Sequence, residues 1–434
     1  MKKLSALFFV LVLGTSMFAQ GWTFDRYIPS NEAPLMGNTG SHGVAVDPYG
    51  KVWSVIYGNT DSIFNGTVMK PCRAVYCYNP DGTPAPFSPI KTITVNGVTD
   101  TMWNSSRGLK SDAQGNILYS AFDAVYKIDY KTGAGLGKVI PTFNQTLTAV
   151  AVDGNNNVFT AHVIPSATNA LKIFDASFAA LGNALDSTVG FSRDFEVGAD
   201  GNSIYWAGYT NHVILKYTRP DEFSPFSLTD SVFKGFDSES FCWNRKYNKL
   251  WASAGSKADS PNRYPGATTY WRINAWYAMD PATNEITDSL FWNFFNADSA
   301  NTKPRGIAFT PSGDTAYVAC FGASTIPAVE RFINPNPSSV KDLGLVADDF
   351  RLFQNYPNPF NPSTEIKFAL KTSGFTTLKV YDILGKEVAT LVSENLNSGV
   401  YAFTFDASKL ASGTYIYEVV SNNVRLTNKM LLMK

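Results

Sequence analysis

The chain has 434 residues, of which 44% are hydrophobic, 14% aromatic and only 17% charged; it exceeds one ordinary domain and can bury a large core, so two domains are expected. Its 36 basic and 36 acidic residues balance, leaving no field to draw in nucleic acid or an anionic membrane. Abundant aromatics, scattered Gly and Pro and few charges favour an all-β extracellular protein over a helical cytosolic one.

The chain begins with Met1-Lys2-Lys3, an apolar run over 4–13 and the small residues of Ser16-Met17-Phe18-Ala19-Gln20. This is the pattern of a secretory signal peptide over 1–19, with cleavage expected after Ala19 although Met17 fits its position poorly. The apolar run is about half the roughly 20 residues a bilayer-spanning helix needs. No later stretch reaches that length, and no Cys follows the cut to carry a lipid. The mature chain is therefore expected to be exported without a transmembrane segment. Export brings Cys72, Cys77, Cys242 and Cys320 into an oxidising compartment where three pairings are conceivable. On one extended strand Cys72 and Cys77 would lie roughly 16 Å apart, against the about 7 Å a disulfide tolerates. A bridge between them requires a turn, and buried free thiols are the alternative.

Residues 20–334 are expected to form one domain of six repeats. Each opens with a strand, near 41–47, 106–112, 147–153, 193–197, 239–243 and 304–309. A turn follows, such as Asp47-Pro48-Tyr49-Gly50 or Pro311-Ser312-Gly313-Asp314, and then a second strand carrying Trp53, Tyr119, Phe159, Tyr205, Trp251 or Tyr317. Third strands recur near 75–79, 125–129, 171–175, 214–218, 276–280 and 329–332. Strand-turn-strand units at roughly 40 to 65 residue spacing are the signature of a propeller. A lone sheet cannot bury both faces, so the units must pack side by side around an axis, and six copies predict a six-bladed β-propeller. Trp22-Thr23-Phe24-Asp25-Arg26-Tyr27-Ile28 alternates well and has no blade of its own. It is expected to add the outer strand of the sixth blade, because Asn334-Pro335-Asn336-Pro337 cannot easily continue a paired strand. Through His42-Gly43-Val44-Ala45-Val46-Asp47-Pro48 and Arg305-Gly306-Ile307-Ala308-Phe309-Thr310-Pro311, this portion resembles the six-bladed propellers of the NHL-repeat and gluconolactonase-like families. The resemblance concerns scaffold positions.

Two long excursions break the rhythm, at 57–73 and 256–274. Long loops on a regular scaffold often carry function. The second holds Tyr264, Tyr270 and Trp271, which either present aromatic faces to a sugar or pack on one another.

Residues 335–349 read as a linker. After it, 350–434 change rhythm: alternate prolines fix an extended, edge-like path, then short strands are expected at 365–370, 376–381, 387–392, 400–405, 414–420 and 424–432. Their spacing predicts a small Ig-like β-sandwich. Four motifs occur in order here: Tyr356-Pro357-Asn358-Pro359-Phe360-Asn361-Pro362, Val380-Tyr381-Asp382-Ile383-Leu384-Gly385-Lys386-Glu387-Val388, Leu410-Ala411-Ser412-Gly413-Thr414-Tyr415 and Lys429-Met430. In them the region closely resembles the type A C-terminal sorting domain of the type IX secretion system. The resemblance implies crossing of the inner membrane by the signal peptide and of the outer membrane by recognition of this domain, so the partner of 350–434 is the type IX machinery. In that family a surface peptidase commonly removes the domain, and the cargo is released or attached to lipopolysaccharide.

Signals for metal or nucleophile chemistry are poor. His42, His162 and His212 do not fall at ligand spacing. Gly133-Ala134-Gly135-Leu136-Gly137-Lys138 mimics a phosphate loop, yet its glycine spacing is one residue short and Val139 stands where Ser or Thr belongs. The Asp153-Gly154-Asn155-Asn156-Asn157 cluster offers oxygens for calcium, but a hairpin turn explains it as well. One constellation remains. In a propeller the starts of the innermost strands rim the central channel, so His42, Arg107, Thr148, Asp194, Glu239 and Arg305 are expected to converge. They would bind a polar ligand or a divalent ion, or form a neutralising ring of ion pairs between blades. No catalytic residue or cofactor is assigned. The reading is an extracellular binding or scaffold module for carbohydrate or protein; the alternative is a metal-assisted hydrolase, lactonase or lyase acting through the channel residues.

Overall fold

A computed structural model of the chain describes residues 21–29, 41–58, 61–164, 169–254, 271, 275–291, 303–321, 329–334, 341–342, 349–396, 398–422 and 424–434. The expected signal segment at 1–19 lies outside them. The protein is all-β, and among the described residues six antiparallel sheets take up the repeats in order. Their innermost strands are Ser41–Val46, Gly108–Ser111, Ala151–Val152, Phe195–Val197, Ser238–Asn244 and Lys303–Phe309, which number sheets 1 to 6.

In sheets 1 to 3 the inner hairpin forms where an Asp ends the first strand and folds the turn onto itself. Asp112 Oδ1 accepts from Gln114 N at 2.9 Å and Asn116 N at 2.8 Å. The positive φ of 89° at Gly115 between them suits a residue without Cβ. Asp47 and Asp153 do the same in sheets 1 and 3, so the Asp153 cluster is a satisfied hairpin turn.

Alternation then gives every sheet two apolar faces, and each face is buried by the neighbouring sheet. Ala45, Trp53 and Val55 of sheet 1 pack on Leu109, Ile117 and Tyr119 of sheet 2. On the opposite face of sheet 2, Leu118 and Val125 meet Val150, Val152 and Val158. The pattern continues around to sheet 6, where Ala308, Tyr317 and Ala319 return to Val44, Val46 and Val52 of sheet 1. This return closes the ring and makes the architecture a β-propeller. The second-strand aromatics Trp53, Phe159, Tyr205, Trp251 and Tyr317 are all buried and stand opposite Ala45, Ala151, Glu196, Cys242 and Ala308. Tyr119 departs from the expected offset. It opposes Leu109, while Leu118 opposes Lys110 and takes the place of the aromatic.

The amino-terminal strand behaves as expected. Thr23–Ile28 pairs antiparallel with Val329–Ile333, from Thr23 opposite Ile333 to Ile28 opposite Val329. It supplies the outermost strand of sheet 6. Trp22 locks the join: it is buried against Trp251, with ring centroids 5.8 Å apart, and its Nε1 donates to Asp288 at 3.3 Å.

The excursion at 57–73 contains the hairpin Asp61–Phe64 and Met69–Cys72. Of the second excursion only Trp271 is described, and of the two alternatives it takes the packed one. Trp271 is buried among Phe233, Phe236 and Tyr277, and its Nε1 donates to Lys234 O at 2.9 Å. Tyr264 and Tyr270 lie outside the described residues. All four cysteines are free thiols, with Cys72 in the excursion hairpin and Cys77 in sheet 1. The glycines from Gly133 to Gly137 form a turn and the outer strand Gly135–Val139 of sheet 2 rather than a phosphate loop.

The tail is a sandwich of two four-stranded sheets. Strands Ser363–Leu370 and Gly399–Asp406 face Gly374–Asp382 and Gly413–Ser421, enclosing Ile366, Phe368, Leu378, Val380, Tyr401, Tyr417 and Val419. One edge strand comes from the stretch expected as linker: Lys341 and Asp342 pair with Ala402 and Tyr401.

Candidate channel site

The six inner strands define the channel by their register. Where Val44, Leu109, Phe195, Phe241 and Ile307 occupy one register position, the residue two before it is His42, Arg107, Arg193, Glu239 or Arg305. Arg193 therefore belongs to the ring at the strand starts. Asp194 stands one residue later, at the position of Gly43, Gly108 and Gly306. Side chains alternate along a strand, so a slip of one residue turns a group onto the other face.

The small residues at this second position let the inner strands approach. A Cβ on Gly43 would lie 2.9 Å from Gly108 Cα, and one on Gly306 would lie 2.8 Å from Val44 N. The start-side mouth is consequently narrow, a cavity of about 20 Å³ lined in part by His42, Arg107, Arg193, Asp194 and Glu239. The turn-side end is wider, a cavity of about 450 Å³ lined in part by Lys110, Glu196, Cys242, Trp243, Arg245 and Lys246.

Two charge clusters fill the channel. At the start side Glu239 is ion-paired to Arg305 and, at 3.0 Å, to Arg193. Arg305 is further fixed through its carbonyl, which accepts from Trp276 Nε1 at 2.9 Å. Arg107 has no carboxylate partner among the described residues; its guanidinium lies 5.4 Å from the Tyr57 ring centroid and 6.0 Å from that of Phe122. Burial, followed by the positive charges of Arg305, Arg193 and Arg107, pushes the His42 imidazole well below its ordinary value. Burial, reinforced by Arg193, takes Arg305 down to about 9, so it stays a cation at neutral pH. Deeper in the channel Lys110 reaches across from sheet 2. Its Nζ donates to Glu196 Oε1 at 2.7 Å, to Asp194 Oδ2 at 3.4 Å and to the Phe241 carbonyl. Phe241 N and Phe195 N also donate to the Asp194 carboxylate, at 2.7 and 2.8 Å. Burial lifts Asp194 to about 7, against the pull of Lys110. Lys110 is itself raised: burial opposes its charge, but the Asp194 and Glu196 carboxylates outweigh that.

Of the residues expected at the mouth, His42, Arg107, Asp194 and Glu239 line one cavity and Arg305 is paired to Glu239. Thr148 does not join them, because its hydroxyl donates to Ala149 O at 2.7 Å. Arg193, Lys110 and Glu196 were missed. The signal was present: a charged residue at the strand-centre position that is Ala45, Ala151 and Ala308 elsewhere. Among the described residues no three His, Cys, Asp or Glu side chains meet as a metal cluster.

In the tail, the proline-rich motif runs beside the last strand. Phe360 enters the core and bridges to Leu432, and Asn358 Oδ1 accepts from Leu431 N at 2.9 Å. Lys429 O accepts from Gln354 Nε2 at 2.8 Å, and Gly385 closes the Asp382 turn. Tyr356, Ile383 and Leu384 are exposed.

Among curated proteins none is similar to this chain. Among the solved structures similar in outline are these three. A calcium-binding protein, regucalcin, from Agrobacterium tumefaciens str. C58 has 10% identity and a TM-score of 0.44, covering 71% of this chain and 93% of its own. A putative gluconolactonase has 10% identity and a TM-score of 0.45, covering 72% and 98%. A Bacteroides thetaiotaomicron protein of unknown function has 9% identity and a TM-score of 0.46, covering 72% and 75%. Likeness at this level says nothing about ligand or activity. Residues 354–433 match the family described as Secretion system C-terminal sorting domain, and this tail sends the protein through the type IX secretion system to the cell surface or outside.

Proposed function

We propose that the propeller is an extracellular binding module for carbohydrate or protein, carried out of the cell by its sorting domain, with the channel mouth as the binding site. The observation that carries this reading is the occupation of the channel carboxylates: Glu239 is held by Arg193 and Arg305, and Asp194 and Glu196 by Lys110. Acids neutralised in this way support recognition and rigidity more than metal-assisted chemistry. Half-buried Tyr57, Phe122, Phe191 and Tyr209 around the guanidiniums add faces on which a ligand can rest. A glycan array probed with the purified chain tests this reading. Defined hits are expected, and an array without hits, together with no captured surface protein, contradicts it.

One observation favours the second reading, a hydrolase, lactonase or lyase: Asp194, lifted to about 7, is placed to hold a proton near neutrality. Calorimetric titration with calcium and with zinc separates the two. Tight binding abolished by Asp194→Ala or Glu239→Ala would favour the enzyme.

A further inference from the structure

At the start-side mouth three guanidiniums stand with two carboxylates, Glu239 and Asp194, and Asp194 is taken up by Lys110. Glu239 serves Arg193 and Arg305, and Arg107 has no carboxylate among the described residues, only a side-chain hydrogen bond with Tyr57 and the ring faces of Tyr57 and Phe122. Arg73 stands near Arg107 as a further cation. Positive charge is therefore in excess where the channel is narrowest.

A second, independent feature points the same way. Arg305 is 2% exposed, and while its Nη1 is ion-paired to Glu239 its Nε has no hydrogen-bond acceptor among the described residues. Nε of Arg107 likewise has no acceptor among the described residues, whereas Nε of Arg193 faces Glu239 at 3.0 Å; the neutral His42 ring gives its N–H to the Arg107 backbone, so its free Nδ1 is an acceptor and not a donor. Buried donors left in this state are costly. An acceptor arriving from outside would relieve them. The guanidiniums come from sheets 2, 4 and 6, so the arrangement depends on the closed ring.

We propose that the start-side mouth is a carboxylate-binding site, in which Arg107 and Arg193 line the cavity and receive the acid group of an extracellular ligand while Arg305, paired to Glu239, adds positive charge. The proposal rests on the binding-module reading and adds the chemistry of the ligand. A guanidinium presents a planar fork of N–H donors that matches a carboxylate. The cavity of about 20 Å³ is roughly one water across, so only the acid head enters and the rest of the ligand stays outside, against Tyr57, Phe191 and Tyr209. The head is supplied either by a free small carboxylate or by a uronic acid within a saccharide.

Calorimetry on the full chain at low salt, with sodium acetate, sodium glucuronate and glucose, tests the proposal. Glucuronate is expected to bind and glucose not. Acetate binding as tightly as glucuronate would also support the site and identify the free carboxylate as sufficient; weaker acetate binding identifies the saccharide. Arg107→Gln, on a half-buried side chain with no ion pair, is expected to keep the melting temperature and weaken glucuronate by about tenfold or more. Binding of neither carboxylate overturns the proposal, as does unchanged affinity in Arg107→Gln. Should that variant fail to fold, the glucuronate-against-glucose comparison on the wild-type chain still decides. Glucose binding as well as glucuronate would remove the acid-group inference while leaving the binding-module reading intact.

Discussion

At the residue scale, burying charge in a channel obliges each group to find a partner or change its protonation. His42 follows the second route. Its folded-state value lies well below the ordinary 6.5, so below that pH the unfolded chain binds the proton the native one refuses. The contribution of His42 to stability is present above about 6.5 and lost as pH falls. Asp194, lifted to about 7, acts in the opposite sense: its contribution is full below about 4 and lost as pH rises through 7. The comparison of His42→Gln with wild type, rather than the wild-type profile alone, isolates the histidine. Between pH 7 and 5 the melting temperature of wild type should fall relative to that of His42→Gln, and parallel profiles would contradict this. Lys110 takes the first route. Its side chain and those of Asp194 and Glu196 are 9%, 4% and 5% exposed, so Lys110→Met leaves two acids unpaired in the interior. A loss of about 3–5 kcal/mol is expected; denaturant unfolding that shows no loss would mean the acids simply take up protons. These residues also show where reading the site from sequence stopped. The strand starts were legible because Arg107-Gly108 and Arg305-Gly306 repeat His42-Gly43. Arg193 was passed over for Asp194 because both are charged and only the pairing of Phe195 with Trp206 fixes the register.

At the element scale, period-2 alternation and Asp or Gly turns made the hairpins readable, since the same chemistry recurs in each repeat. Positions decided by packing were not readable. Leu118 displaces the aromatic in sheet 2, and the hairpin Thr92–Val95 with Val98–Thr101 leans on sheet 2, where Asp100 meets Lys138 at 2.7 Å. Lys341–Asp342 became a strand because the sandwich edge offered unpaired backbone. The closing strand was legible because Trp22 to Ile28 alternates with no other sheet to join. Trp22 is 2% exposed at that join, so Trp22→Ala should cost about 3–5 kcal/mol. Thermal unfolding measures it, and a shift within error would show that the strand is held without its anchor.

At the scale of the whole molecule, one geometric fact underlies the site. Residues as distant in sequence as His42, Arg107, Arg193 and Arg305 meet only because the sheets bury their faces on one another around a closed ring, and the ring is fastened by pairing Thr23–Ile28 with Val329–Ile333. The sorting tail is a separate sandwich with its own core, which fits a delivery module appended to a binding module. Hydrogen exchange followed by mass spectrometry tests the ring most directly. Peptides covering 23–28 and 329–333 are predicted to be protected to the same degree and to open together with the inner strands. Free exchange at 23–28 beside a protected 329–333 would mean an open ring and would contradict the account.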